Sequence, residues 1–319
     1  MITPVLRFPL LISLLCLTFF SYASTEQGWP RSVAGAKGEV VLNHQPVRIV
    51  STSVTLTGSL LAIEAPVIAS GITQPGGRFA DRQGFFRQWG DVARAKSVKP
   101  LPAGEASLEA IAVQNPDLIV VSSTGKDSAS GLYDRLSKIA PTLVVNYDEK
   151  SWQQIAQLLA EATGKETEAR VLIHAFEQRA AGVRQALKLP PQPVSALVYN
   201  SQSHVANLWT RDSAQGKFLE SLGFTLATPS LAQPSQQIAR KDIIPLSGEN
   251  LVTGITGQTV LMFAADESGK AALLADSLLS ASPAVQNQQV YTLGNDSFRL
   301  DYYSSLHLLT RLEQLFASS

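Results

Sequence analysis

Apolar and polar positions alternate along this chain in two registers. Short runs rich in β-branched residues, Val47 to Val50, Pro66 to Ala69, Asp117 to Val121 and Thr142 to Val145, each stop at a serine or an asparagine. Stretches of helical length separate them. Continuous apolar runs alternating with helices predict strands covered on both faces, hence a parallel sheet. The second half repeats this grammar with Val194 to Tyr199, Phe224 to Ala227, Thr259 to Phe263 and Gln289 to Leu293. Helices are predicted there over Ser213 to Leu222, Glu249 to Thr253 and Lys270 to Leu274. No residue-level repeat relates the halves, so what they share is architecture.

Between the halves the period changes. Ser151 and Gln154 have the spacing of a capping box, which predicts a helix ending near Gly164. A longer helix follows, in which Ala169, Leu172, Phe176, Ala180, Val183 and Leu187 recur at three and four residues. Pro190-Pro191 stops it. The predicted organisation is a leader at 1–23, an N-terminal lobe at 24–150, a helical linker at 151–190 and a C-terminal lobe at 191–319. Ligands of open α/β sheets bind beyond the carboxyl ends of the strands, so two facing lobes define a cleft.

The amino terminus places the protein. Arg7, the apolar run Leu10 to Phe20 and the small residues of Ser21-Tyr22-Ala23 form a secretory signal, with cleavage expected near Ala23-Ser24. The run is shorter than the ~20 residues that span a bilayer, and no basic cluster follows. Cys16, the chain's single cysteine, lies inside this segment behind Leu15, which is too large for a lipoprotein signal, so no membrane anchor is expected. The mature chain then has no thiol, which excludes disulfides and cysteine metal sites. Arg7 is one of 26 basic residues set against 26 acidic ones, so its loss leaves a net charge of −1. Nucleic acid would call for a basic excess.

Catalytic signatures are thin: the chain has no G-x-S-x-G, no P-loop, no G-x-G-x-x-G and no H-E-x-x-H. His44, His174, His204 and His307 are scattered, and only His204 falls near an expected cleft loop. The loops after the predicted strands instead carry cations and aromatics. They hold Arg78 and Arg82 in one, Trp209 and Arg211 in another, Arg240-Lys241 in a third and Phe298-Arg299 in the last. Guanidiniums stay charged, bind oxyanions in a forked geometry and stack on rings. The implied ligand is anionic, oxygen-rich and aromatic. Arg82, Arg87, Arg94 and Arg211 are read as surface residues. Arg299 stands out, because it precedes a helix that Asp301 is placed to cap. Trp209, flanked by Asn207 and Thr210, is expected at a loop tip, whereas Trp89, Trp152 and Tyr302 are expected in the core. A tyrosine site for bare iron at Tyr302-Tyr303 lacks a paired histidine or carboxylate.

The stretch Pro46-Val47-Arg48-Ile49-Val50-Ser51-Thr52-Ser53-Val54-Thr55-Leu56-Thr57-Gly58-Ser59-Leu60-Leu61, with Asn115-Pro116-Asp117-Leu118-Ile119-Val120-Val121 downstream, resembles the periplasmic binding proteins of iron-siderophore ABC transporters. Gly248-Glu249-Asn250-Leu251, Pro283-Ala284-Val285-Gln286-Asn287 and Phe298-Arg299-Leu300-Asp301-Tyr302-Tyr303-Ser304 are similar to the branch of that family that carries ferric enterobactin in enteric bacteria. The resemblance covers essentially the whole mature chain. It implies an α/β fold of class III, two Rossmann-like lobes with parallel sheets joined by a single long helix, and no enzymatic activity. It also implies an Fe(III) tris-catecholate ligand of charge −3, with iron bound only as its siderophore chelate and no other cofactor. The ligand-binding residues it implies are Arg78, Trp209, Arg240, Phe298 and Arg299. Glu109 and Glu249, with Glu105 as a competitor, match positions the family uses to dock on an inner-membrane ABC permease and its ATPase. Another iron chelate, a hydroxamate siderophore, haem or a cobalamin stays open as ligand on this fold, and a periplasmic hydrolase stays open as the remote reading.

Overall fold

Hydrophobic runs and turn chemistry settle most of the elements. The computed structural model describes residues 28–148, 150–230 and 241–317, to which all that follows refers. The expected leader at 1–23 and its cleavage point lie outside the described residues, as does Arg240. The chain enters as an antiparallel hairpin, β1 (Arg31–Gly35) and β2 (Gly38–Leu42). It then builds β3 (Ile49–Ser51), β4 (Val67–Ser70), β5 (Lys99–Pro100), β6 (Leu118–Ser122) and β7 (Thr142–Val145) into one parallel sheet ordered β5-β4-β3-β6-β7. Every residue of β3, β6 and β7 is buried, as continuous apolar runs require. Between these strands lie α1 (Val54–Ala62), α2 (Arg87–Ala95), α3 (Leu108–Ala112) and α4 (Tyr133–Leu136). Ser53 caps α1 by accepting from the Leu56 N–H at 3.2 Å. The loops after β3 and β4 approach so closely that a methyl at Gly71 would lie 2.1 Å from the Thr52 carbonyl oxygen.

The linker is α5 (Trp152–Thr163), with the expected Ser151 and Gln154 capping box and Gly164 in the left-handed conformation, followed by α6 (Glu166–Ala186). Ala169, Phe176 and Val183 of its predicted stripe are buried, and Leu172, Ala180 and Leu187 are partly so.

The C-terminal sheet corrects the expectation of a second parallel sheet. Its strands β8 (Val194–Asn200), β9 (Val205–Trp209), β10 (Ile243–Leu246), β11 (Thr259–Met262) and β12 (Val290–Thr292) take the order β10-β9-β8-β11-β12. β8, β11 and β12 are parallel, whereas β9 is antiparallel to both β8 and β10. The polar turn at 201–204 and the half-exposed Asn207 give β9 a loop-like composition, and Pro245 suits β10 to the edge it occupies. Phe224 to Ala227 is not a strand. It makes two backbone hydrogen bonds of 2.8 Å with Val194 and goes no further. The remaining helices are α7 (Ala214–Ser221), α8 (Gly248–Gly254), α9 (Glu267–Leu274), α10 (Pro283–Gln286) and α11 (Tyr302–Phe316).

α11 adds a second brace between the lobes. It packs on α1 and α2 of the N-terminal lobe, and Tyr302 in its first turn meets Trp152 of α5 at 5.5 Å. Its last turn reaches the C-terminal lobe, where Phe316 meets Phe224 at 6.2 Å and Tyr291 at 4.8 Å. One apolar cluster therefore runs from Val33 through Trp89, Trp152 and Phe176 to Leu261 and Phe316.

Candidate functional site

A cleft opens between the lobes. Thr55, Tyr147, Asp148 and Trp152 line it on one side and Trp209, Gln215, Phe298 and Arg299 on the other. Local chemistry fixes the C-terminal wall. Ser213 caps α7 by accepting from the Gly216 N–H at 2.8 Å, and Gln215 Nε2 then donates to the Phe298 carbonyl at 2.8 Å. Asp301 and Ser304 form a capping box at the start of α11. The same Ser304 hydroxyl donates to the Arg299 carbonyl at 2.7 Å. Phe298 and Arg299 are thus held by backbone contacts from two helices, which leaves both side chains facing the cleft.

Trp209, Phe298 and Arg299 come together as expected, but their setting differs. Trp209 is the last residue of β9 rather than a loop tip. It is 7% exposed, its ring is 6.0 Å from that of Phe298, and its indole N–H has no hydrogen-bond partner among the described residues. Phe298 also stacks on Phe79 of the other lobe, with ring centroids 5.6 Å apart and planes 16° apart. Arg299 lies 5.4 Å from the Tyr147 ring and 5.3 Å from that of Phe298. Lys150 and Lys217 add positive charge to the walls, while Asp148, Asp212 and Asp242 add negative charge. The cleft is mixed in sign, with its guanidinium at the aromatic end.

Arg78 is not in the lining. Its guanidinium crosses to the C-terminal lobe, where it donates to the Ala264 carbonyl and, at 3.4 Å, to Asn295 Oδ1. Trp152 combines both roles, packing on Phe176 at 4.9 Å while lining the cleft. Tyr302 packs with Trp152, as its stripe predicted, and burial raises its phenol pKa. His204 stands apart, on the β8–β9 turn, against Asp276 at 2.7 Å. Glu109 and Glu249 are exposed in the first turns of α3 and α8. Tyr147, Lys150, Gln215 and Lys217 went unmarked in the sequence. The available signal was Tyr147, an aromatic two residues beyond a strand end.

Behind Arg299, Asp301 is buried, and that burial pushes its carboxyl up to about 6 despite hydrogen bonds from Ser304 and Gln88. The folded protein holds this proton more tightly than an unfolded chain with a carboxyl near 3.8. The stability contributed by Asp301 is therefore fully present below pH 3.8 and is lost as pH rises through about 6. Chemical denaturation should show wild type losing stability relative to Asp301→Asn across that window. A flat difference would mean that the carboxyl titrates normally.

The sequence model of the family described as periplasmic binding protein matches residues 49–297, which takes in both five-stranded sheets and every described residue of the cleft except Phe298, Arg299 and Leu300. The chain belongs to the periplasmic binding protein family. Within that family it is 52% identical to the ferric enterobactin-binding periplasmic protein FepB of Escherichia coli O6:H1, over 99% of each chain. Among solved structures, holo-ViuP superposes with a TM-score of 0.82 at 38% identity, covering 91% of this chain and 96% of its own. Staphylococcus aureus SirA complexed with staphyloferrin B shares the fold at 21% identity, with a TM-score of 0.68 over 89% of this chain and 97% of its own. No helix among the described residues is long and apolar enough to cross a membrane.

Proposed function

We propose that this chain captures ferric enterobactin in the periplasm and delivers it to an inner-membrane ABC permease, which its ATPase drives. The observation that carries this reading is the convergence of Trp209, Phe298 and Arg299 on one interlobe cleft, in a chain 52% identical from end to end to FepB. Iron enters as cargo already wrapped in its chelate, with no resident cofactor and no catalysis. The chelate presents three aromatic rings and a charge of −3. The rings suit the indole and phenyl faces, and the charge suits Arg299 with Lys150 and Lys217. Arg78 and Arg240 are proposed to join them on binding, Arg78 by exchanging the Ala264 carbonyl for the ligand. Cleavage near Ala23-Ser24 releases the carrier without an anchor, and Glu109 and Glu249 mark the face that meets the permease.

Trp152 and Trp209 both line the cleft, so tryptophan emission reports on its occupancy. Titration of the mature protein with ferric enterobactin should quench that emission to an end point of one ligand per chain. Iron-free enterobactin, with its catechols largely protonated, should bind more weakly. A preference for a ferric hydroxamate or haem would overturn the assignment of ligand, and no response to any chelate would overturn the assignment of the cleft.

A further inference from the structure

Arg299 belongs to the C-terminal lobe, yet it touches an aromatic ring from each lobe, Phe298 beside it and Tyr147 across the cleft. It has no carboxylate partner among the described residues. Tyr147, two residues past β7, is 9% exposed and tied at its far end, where the hydroxyl donates to Asp127 Oδ1 at 3.1 Å. The other oxygen of Asp127 accepts from the Thr55 N–H at 3.0 Å and from the Ser53 hydroxyl, at the start of α1. The fit is close: a methyl on Gly125 would stand 1.8 Å from the phenol oxygen. Burial, the largest influence on Tyr147, raises its pKa, so the phenol stays a neutral donor. A continuous series of contacts thus runs from the first turn of α1 through Asp127 and Tyr147 to the Arg299 guanidinium.

We propose that Tyr147 is a positioning residue for siderophore capture, a seat that holds the Arg299 guanidinium across the cleft while Asp127 keeps the ring in place. This rests on the reading of the cleft as the siderophore site. A guanidinium resting on a ring face keeps its in-plane N–H groups free, and these are the groups that meet catecholate oxygens. Tyr147 acts through Arg299, which makes the two residues interdependent.

The test is a double-mutant cycle of Tyr147→Leu and Arg299→Ala, titrated with ferric enterobactin. Tyr147→Leu should weaken affinity by about tenfold in the wild type, the scale of a partly desolvated cation–π contact, and by less than about twofold when Arg299 is already alanine. Tyr147→Phe, which keeps the ring and loses the tether, should fall between wild type and Tyr147→Leu, and it takes over the cycle if the leucine variant does not fold. Additive losses, or an unchanged affinity in Tyr147→Leu, would overturn the seat. Should the wild type bind no ferric enterobactin, the functional reading fails instead. The same cycle followed by urea denaturation of the ligand-free protein then decides, because a real seat couples the two residues without ligand and additivity there overturns it.

Discussion

Reversing two charges, Glu109→Lys together with Glu249→Lys, is expected to abolish iron uptake in cells while the purified protein binds ferric enterobactin as the wild type does. Both glutamates are exposed and stand in the first turn of a helix that directly follows an edge strand of its sheet: α3 after β5, and α8 after β10. β10 runs in the direction of β8, since both are antiparallel to β9, so each helix begins at the carboxyl-end rim of its lobe. One carboxylate per lobe on corresponding rims is a simple way to engage arginines on a two-fold permease. Glu109 is kept anionic by its own backbone hydrogen bond and by the Ser107 hydroxyl at 3.2 Å, which together lower its pKa. If each carboxylate did no more than favour its helix dipole, uptake would persist. Normal uptake by the folded double variant therefore refutes docking through these residues.

The other large effect falls on affinity. Arg299→Ala should weaken ferric enterobactin binding by roughly 1.5–3 kcal/mol, the range for hydrogen bonds to charged groups, which is about ten- to a hundredfold. The loss of stability should stay small beside the loss of affinity, because this side chain gives up only its contacts with the Tyr147 and Phe298 rings and satisfies no carboxylate among the described residues. Arg94 gives the contrast: it pairs with Asp81 and Asp91 on the surface, and Arg94→Ala should bind normally. Calorimetry on both variants, with thermal melts as the control, checks the pair. Equal affinities for wild type and Arg299→Ala would remove Arg299 from the site. Arg78→Ala should cost less than Arg299→Ala, since Arg78 must give up the Ala264 carbonyl before it meets ligand.

The parallel sheet of the N-terminal lobe was legible because strands buried on both faces leave unbroken apolar runs, as Leu118 to Val121 do. β9 was not, since Asn207 and the polar turn before it look like loop, and only pairing with β8 and β10 makes the segment a strand. The same blind spot moved Trp209 from a loop tip to a strand end. Arg299 and Phe298 were legible through the cap that Asp301 supplies to the next helix. Tyr147 was not, because its role depends on a residue more than 150 positions away that no local pattern indicates. Arg78 shows the opposite limit: residue type announced an anion ligand, but the backbone carbonyl that occupies it is visible only in three dimensions.

The two braces between the lobes bear on how quickly a ligand arrives. α11 and α6 pass through an apolar cluster shared by both lobes, and Phe79 on Phe298 adds a bridge at the cleft itself. Wide swinging of the lobes would have to break that cluster, so the cleft is nearly preformed. An incoming chelate meets a standing surface, with side-chain exchanges such as that of Arg78 following contact. On the proposed function, association is expected to be limited by collision and charge steering, with the lifetime of the complex, rather than its rate of formation, carrying the discrimination among chelates.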